Sequence, residues 1–421
     1  MWGRRRTAVE LALLVGLAGL GLILRHPGVV LLAVPVAVHL CLGLTMALTN
    51  RRPQLAARRE LSAARALEGE AVSVQVEVEN RGPGLELVVV DDHQLSQWVE
   101  EGRAQVVDSL SRGGRLTLAY RARPRRGLYA LPSVWVEVQD LLGFVLWRGE
   151  VDCPAPLAVL PRHERLTGVA VRPRRTLPQP GTVRARRGGA GIEFFGTRDY
   201  LPGDDSRRVN WKAVARWGRL MINQYEEERA SEVTVVLDVR THAYPPARRD
   251  ELFDWAVRGA AGLADCFLRQ GHRVGLLLYG RYLDWVPLSS GHHHWQRLLR
   301  ALARADLGAT EVFAELVHLP VRPIPPGSQV ALVSPLVPGD EAGVERLRAR
   351  GYQVLVLVPD PWALEMTALP QSPAVRLGAR ILELERWSML ARLHTAGARP
   401  LVWDVRYPLA PQVKATWRRL R

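Results

Sequence analysis

The residue types that could do chemistry are concentrated in one stretch, Gly191 to Glu228, which reads GIEFFGTRDYLPGDDSRRVNWKAVARWGRLMINQYEEE. It sets Glu193, Asp199, Asp204, Asp205, Glu226, Glu227 and Glu228 among Arg208, Lys212, Arg216 and Arg219. Glu193, Asp204 and Asp205 are the one set that could divide acid and base roles in a hydrolysis. Neither a nucleophile–base pair nor a set of metal ligands accompanies them. Opposite charges at this density order a structure, so the stretch reads first as an ion-pair lattice and second as a recognition surface.

Signatures of other chemistries are missing. No G-x-x-x-x-G-K-[ST] loop and no G-x-S-x-G elbow occurs, and Gly16, Gly19 and Gly21 lie in an apolar run rather than after a strand. His163-Glu164 opens like a zinc-protease helix, but Thr167 stands where the second histidine is needed. His292, His293 and His294 are consecutive, so their rings diverge, and the run reads as a solvated loop. Cys41, Cys153 and Cys266 are too few and too scattered for a disulfide framework or a zinc knuckle, which favours a reducing compartment. No cofactor and no metal are expected.

Several elements must position the charged stretch. Pro202-Gly203-Asp204-Asp205 is a turn that delivers a carboxylate to a helix N-cap. A short helix from Ser206 to Trp217 follows, with Val209, Ala213 and Trp217 as its buried stripe and Trp211 buried beside them. Upstream, Val72, Val74, Val76 and Val78 alternate with polar residues, as do Leu116, Leu118 and Tyr120, and Val134, Val136 and Val138. Such period-two strands between Leu55 and Pro161 predict an antiparallel β-sandwich. Arg162 to Arg187 carries eight arginines and one acid, and reads as an extended basic connector, solvated or lying on anionic head groups. From Val233 onward strands alternate with helices, which predicts an α/β domain with a mostly parallel sheet.

At the amino end, Ala8 to Leu24 and Gly28 to Thr49 are apolar runs separated by Arg25-His26-Pro27-Gly28, with Glu10 and His39 inside them. About 20 apolar residues span a bilayer as a helix, so residues 1–50 read as a transmembrane helical hairpin. Arginines flank both ends, at Arg4, Arg5 and Arg6 and at Arg51, Arg52, Arg58 and Arg59. By the positive-inside rule this implies a two-pass inner-membrane protein whose N-terminus and later domains are cytoplasmic. The expected domains are 1–50, the hairpin; 55–161, the sandwich; 162–232, the connector with the charged stretch; and 233–421, the α/β domain. The net charge of +15, from 57 Lys+Arg against 42 Asp+Glu, permits an anionic lipid or an acidic partner. Nucleic acid is not an expected partner.

The charged stretch resembles the bacterial domain-of-unknown-function 58 family, whose motif runs roughly G-x-E-F-x-x-x-R-x-Y-x-x-G-D-D-x-R-x-I-x-W-x-x-x-A-R. Gly191, Glu193, Phe194, Arg198, Tyr200, Gly203, Asp204, Asp205, Arg207, Trp211, Ala215 and Arg216 match, with Val209 at the Ile position. The resemblance extends to the layout of hairpin, sandwich, motif and a von Willebrand factor A-like domain. It implies partnership with a MoxR-type AAA+ ATPase, and no defined biochemical activity. A von Willebrand factor A domain often holds a divalent cation on D-x-S-x-S at the end of its first strand. Here that strand ends Asp238-Val239-Arg240-Thr241-His242, so Asp238 matches while Arg240 and His242 replace both serines. A later strand ends Val333-Ser334-Pro335, without a second aspartate. The site reads as degenerate, with Asp238 pairing Arg240 or capping the segment after it.

The expectation is therefore a membrane-anchored, cytoplasm-facing adaptor without catalysis, docking on an AAA+ ATPase. A carboxylate-dependent hydrolase is the second reading. A binder of anionic polymer or lipid in the cell envelope, through the basic connector, is the third.

Overall fold

Alternation governs the first half of the chain. The computed structural model describes residues 2–49, 52–140, 146–169, 171, 183–229, 231–280, 283–308, 313–360, 362 and 372–419. In it Val72, Val74, Val76 and Val78 are all buried on one strand, while Ser73 and Gln75 between them face solvent. The chain divides into two compact units, Met1–Leu160 and Pro161–Arg421.

The first unit begins with helices α1 (Trp2–Ile23), α2 (Pro27–Leu31) and α3 (Ala33–Thr49). Eleven strands follow: β1 (Leu55–Leu61), β2 (Arg65–Leu67), β3 (Val72–Asn80), β4 (Leu85–Asp91), β5 (Val99–Gly102), β6 (Gln105–Leu110), β7 (Arg115–Ala122), β8 (Gly127–Tyr129), β9 (Ser133–Gln139), β10 (Leu146–Asp152) and β11 (Leu157–Leu160). Two four-stranded antiparallel sheets, ordered β1-β3-β7-β5 and β10-β9-β4-β6, share one core. Val74, Val76 and Leu118 enter it from one sheet, and Val88, Val90 and Val136 from the other. A small third sheet, β2-β11-β8, is mixed, because β2 runs parallel to β11.

One buried arginine ties these strands together. Arg59 on β1 grips Asp92 through Nε at 3.2 Å and Nη2 at 2.8 Å, and donates its remaining N–H groups to the carbonyls of Leu131, Ser133 and Cys153. The Tyr120 hydroxyl donates to the same carboxylate at 2.8 Å. Burial, aided by that carboxylate, pushes the Tyr120 phenol far above its ordinary pKa.

The amino-terminal helices overturn the expected membrane hairpin. Among the described residues no helix is long and apolar enough to cross a membrane. The apolar run from Gly28 to Thr49 is divided between α2, of five residues, and α3, of 17. Neither reaches the roughly 20 apolar residues that a bilayer requires. In α1 the apolar run carries the Glu10 carboxylate, which lies 3.7 Å from the His39 imidazole on α3. The two-pass inner-membrane placement, and the orientation argued from the arginine flanks, fall with the hairpin.

In the second unit, β12 (Val183–Asp199) and β13 (Met221–Arg229) form an antiparallel ribbon whose tip holds α4 (Trp211–Trp217). Then come β14 (Glu232–Val239), α5 (Arg249–Arg269), β15 (Arg273–Gly280), β16 (Leu283–Ser289), α6 (His292–Arg304), β17 (Gln329–Val333), α7 (Asp340–Ala349), β18 (Gln353–Asp360), α8 (Pro373–Thr395), β19 (Arg399–Asp404) and α9 (Leu409–Arg419). Six strands make one sheet, ordered β16-β15-β14-β17-β18-β19. All its pairs are parallel except the β15–β16 edge. Helices cover both faces. Val236, Val330 and Val356 pack with Val344 and Leu347 of α7 and with Met389 and Leu393 of α8. On the other face α5 approaches so closely that a Cβ at Gly259 would lie 2.8 Å from Leu357 Cδ2.

The basic connector is also corrected in part. Residues 172–182 lie outside the described residues, but the stretch before them is seated on the second unit rather than solvated. Leu166 is fully buried, and the Arg269 side chain donates to its carbonyl at 2.9 Å. The Glu164 carboxylate accepts from the amides of Leu409 and Ala410 at 2.8 and 2.9 Å, which caps the first turn of α9. From Val183 the stretch continues as strand β12.

His272 sits buried just before β15, where its Nδ1 accepts from the Ser231 amide at 3.3 Å. Burial pushes its imidazole down from 6.5 to about 4. Between those values the unfolded chain binds the proton and the folded chain does not, so stability falls as pH drops through that window. Melting temperatures measured from pH 7 to pH 4 are expected to decline, and His272→Gln should flatten that part of the curve.

Candidate functional site

In a sheet of this kind, sites form beyond the carboxyl ends of the parallel strands. There β14 delivers Asp238, β17 delivers Ser334, and the turn after β17 delivers Asp340 at the start of α7. Asp238 and Ser334 are fully buried, and Asp340 is 3% exposed. Between the two carboxylates lies the guanidinium of Arg240, itself fully buried. Its Nε donates to Asp238 Oδ1 at 3.0 Å and its Nη2 to Asp238 Oδ2 at 2.7 Å. Nη1 and Nη2 reach Asp340 Oδ1 and Oδ2 at 2.8 and 2.7 Å. The second N–H of Nη1 goes to the Ala314 carbonyl at 2.9 Å. All five donors of the guanidinium are thereby used.

The carboxylates are completed from the chain around them. Asp238 also accepts from the Arg240 amide at 2.9 Å and from the Ser334 hydroxyl at 2.6 Å, and Asp340 accepts from the Val337 amide at 2.9 Å. Burial works against the charge on Arg240, but hydrogen bonds and charges from Asp238 and Asp340 outweigh it and raise its pKa above the ordinary arginine value. Burial likewise pushes the neighbouring Tyr279 phenol up to about 12, although Arg240 pulls it down. Gly280 makes this packing feasible. Its φ is +148°, and a Cβ there would lie 2.5 Å from the Arg240 amide nitrogen.

This geometry assigns Asp238 the pairing role. A planar cation fills the space that two carboxylates and a serine hydroxyl would otherwise offer to a hard cation. Among the described residues no group of three or more His, Cys, Asp or Glu is placed to hold a metal ion. Asp340 was not legible as a site residue, since it lies 100 positions from Arg240. Its one local signal, an acid in the first turn of α7, is shared by any helix start.

The tip of the ribbon holds most of the motif residues. Arg198 and Asp204 form a bidentate pair with both contacts at 2.6 Å, and the Leu201 amide donates to Asp204 at 2.9 Å. The Arg198 hydrogen bond, followed by the Leu201 amide, holds the Asp204 carboxyl below its ordinary pKa. Such a group is a poor proton acceptor near neutral pH, which disfavours it as a catalytic base. Gly203 supplies a φ of +102° in the turn between them. The Tyr200 amide donates to the Leu220 carbonyl at 2.9 Å, and Arg219 reaches Asp199 at 3.2 Å with both side chains well exposed.

The expected capping differs in detail. Asp205 accepts from the Arg207 amide at 3.0 Å, but it caps only the 3₁₀ turn Ser206–Arg208. The N-cap of α4 is Asn210, which accepts from the Ala213 amide at 3.0 Å. The expected burial of the tryptophans is overturned. Trp211 is 71% exposed and Trp217 63% exposed, while Met221 and Ile222 at the start of β13 are buried instead. Seven residues make less than two full turns, too little to cover two indoles. Arg207 and Arg216 are exposed beside them. Gly191, Glu193 and Phe194 lie along β12, and the placement of their side chains lies outside the described residues. The three histidines begin α6 rather than a loop, with His294 buried and its Nε2 2.6 Å from the Val274 carbonyl oxygen.

The ribbon tip, the Arg240 clamp and the start of α8 all fall within one matched region. Residues 196–377 match the family of proteins of unknown function DUF58. Uncharacterized protein YeaD of Bacillus subtilis is 23% identical over 227 residues, 51% of this chain and 55% of that protein. Uncharacterized protein Rv1480 of Mycobacterium tuberculosis is 32% identical over 116 residues, 27% of this chain and 37% of that protein. The chain thus spans about half of the Bacillus protein and less of the mycobacterial one. Among solved structures, Escherichia coli α2-macroglobulin from domain MG7 to its C-terminus aligns with 26% of this chain and 24% of that one, at 15% identity. Its TM-score of 0.18 is too low to bear on the DUF58 region.

Two measurements address this geometry. Arg240→Met leaves two buried carboxylates without a cation, which is expected to cost about 3–5 kcal/mol. Denaturant melts of the variant and the parent chain check the loss. In the tip, Asn210→Ala is expected to cost about 0.5–2 kcal/mol through loss of the helix cap, read in the same melts.

Proposed function

We propose that the protein is a docking component for another protein, and that its partner is a MoxR-type AAA+ ATPase. The observation that carries this reading is the exposure of Trp211 and Trp217, 71% and 63%, within the matched family region. Large indoles left in water are uncommon on a monomer surface and are enriched at the energetic centres of interfaces. Leu201 and Leu220, 58% and 51% exposed, extend the apolar surface. Arg207, Lys212 and Arg216, exposed around it, give a rim suited to an acidic partner.

The same reading takes the six-stranded sheet as a von Willebrand factor A-like domain. Its support is the parallel order β15-β14-β17-β18-β19, with Asp238 at the end of β14. With Arg240 lodged between the carboxylates, the sheet's carboxyl end serves as scaffold, and recognition falls to the ribbon tip. Chemistry on the Asp204 carboxylate has no comparable support, because that group is committed to Arg198.

The test immobilises the protein and measures capture of a purified MoxR-type ATPase. Trp211→Ala combined with Trp217→Ala is expected to reduce affinity by about tenfold or more, as loss of interface tryptophans does. The melting temperature should stay unchanged, since both side chains are exposed. Capture should also weaken with added salt. Undiminished capture by the double variant refutes docking through the tip.

A further inference from the structure

Helix α8 has two faces of different character. Met389 and Leu393 are buried on one side, whereas Leu377, Ile381 and Leu384 are 66%, 50% and 57% exposed, with Leu382 and Trp387 also exposed to either side of them. These three recur at i, i+4 and i+7, so they form one stripe along the helix. With Ile381 at position a of a heptad, Leu377 and Leu384 fall at d, Arg380 at g and Glu385 at e. Position f, opposite this seam, holds Ala379, Arg386 and Leu393, which are half-buried or buried against the body.

A β-branched residue at a with leucine at d favours a parallel two-stranded pair, and opposite charges at g and at e of the next heptad meet across it. Arg380 and Glu385 have that spacing and those signs. In an antiparallel pair each flank meets its own kind, so Arg380 and Glu385 would be kept apart. We propose that α8 pairs in parallel with α8 of a second copy of this chain. Ile381 and Leu384 pack on their counterparts, and each Arg380 lies beside the partner's Glu385. The present partner of Arg380 is Glu383, one turn along at 2.9 Å, with the two side chains 68% and 40% exposed. Such an exposed pair competes weakly. Past Leu384 the seam continues with Ser388 and Ala391, small residues that contribute little, so pairing is concentration-dependent.

The test uses the full chain in a non-ionic detergent, which suppresses association through the exposed leucines of α1 and α3. Sedimentation equilibrium should show reversible dimers, and Ile381→Asp should raise the dissociation constant by about tenfold or more, because it would bury a carboxylate in the seam. Arg380→Glu and Glu385→Arg should each weaken self-association, and an equimolar mixture of the two should recover the wild-type constant as heterodimers. In a Cys41→Ser background, Leu384→Cys should form an intermolecular disulfide, since d residues face each other only in the parallel pair. A wild-type chain that stays monomeric, a mixture no tighter than its components, or an absent Leu384→Cys cross-link overturns the proposal.

Discussion

The guanidinium of Arg240 binds together parts of the chain that nothing local would hold. It joins the end of β14 to the start of α7 and to the Ala314 carbonyl, with a carboxylate on either side. Two carboxylates buried this deeply repel each other and have lost their water, and the cation between them offsets both costs. The cation in turn could not be buried without a partner for each N–H. The sheet order, the close approach at Gly280 and the turn from Ser334 to Asp340 are the geometry that satisfies both demands at once.

The first unit solves a similar problem in the same way. Arg59 is also fully buried, also uses all five donors, and also pairs with a fully buried aspartate, Asp92. Three of its bonds go to carbonyls of two segments, Leu131 and Ser133 at the start of β9 and Cys153 just after β10, so it works as a latch between β1 and that pair of strands. In a chain with only two lysines, arginine is the available cation, and its planar fork is what makes either latch feasible.

How far the sequence could be read depends on the range of the interactions. The alternation of Val72 to Val78 is a local signal, and it marks β3 with its inward face. The apolar runs at Val233, Arg273, Gln329 and Gln353 mark β14, β15, β17 and β18 for the same reason. Strand β16 gave no such signal, because Pro287 interrupts a mixed sequence that only an edge position tolerates. The apolar amino terminus misled, since hydropathy counts residues and does not see the division of the run into α2 and α3. In the candidate site, Asp238 beside Arg240 was legible at a separation of two, whereas Asp204 read as a helix cap and its pairing with Arg198 came only from the fold. Asp340 was not legible either, because only the fold brings it to Arg240. Trp211 misled for the opposite reason, as size suggests burial where seven helical residues offer nothing to bury against.

The ribbon tip has a further property. Asp199 pairs with Met221, so the chain leaves the ribbon and re-enters it at one rung. Tyr200, Val209 and Asn210 join the tip to the residues just beyond that rung, at Leu220, Met221, Ile222 and Asn223. Residues 200–220 therefore hang from one end of the ribbon, held by these contacts and by the Arg198–Asp204 pair, and can open while every hydrogen bond of the six-stranded sheet stays closed. Its order is a separate equilibrium from that of the sheet. A protein that gripped the two indoles would shift that equilibrium alone, and amide exchange would slow in the tip while the strands beneath kept their own rates.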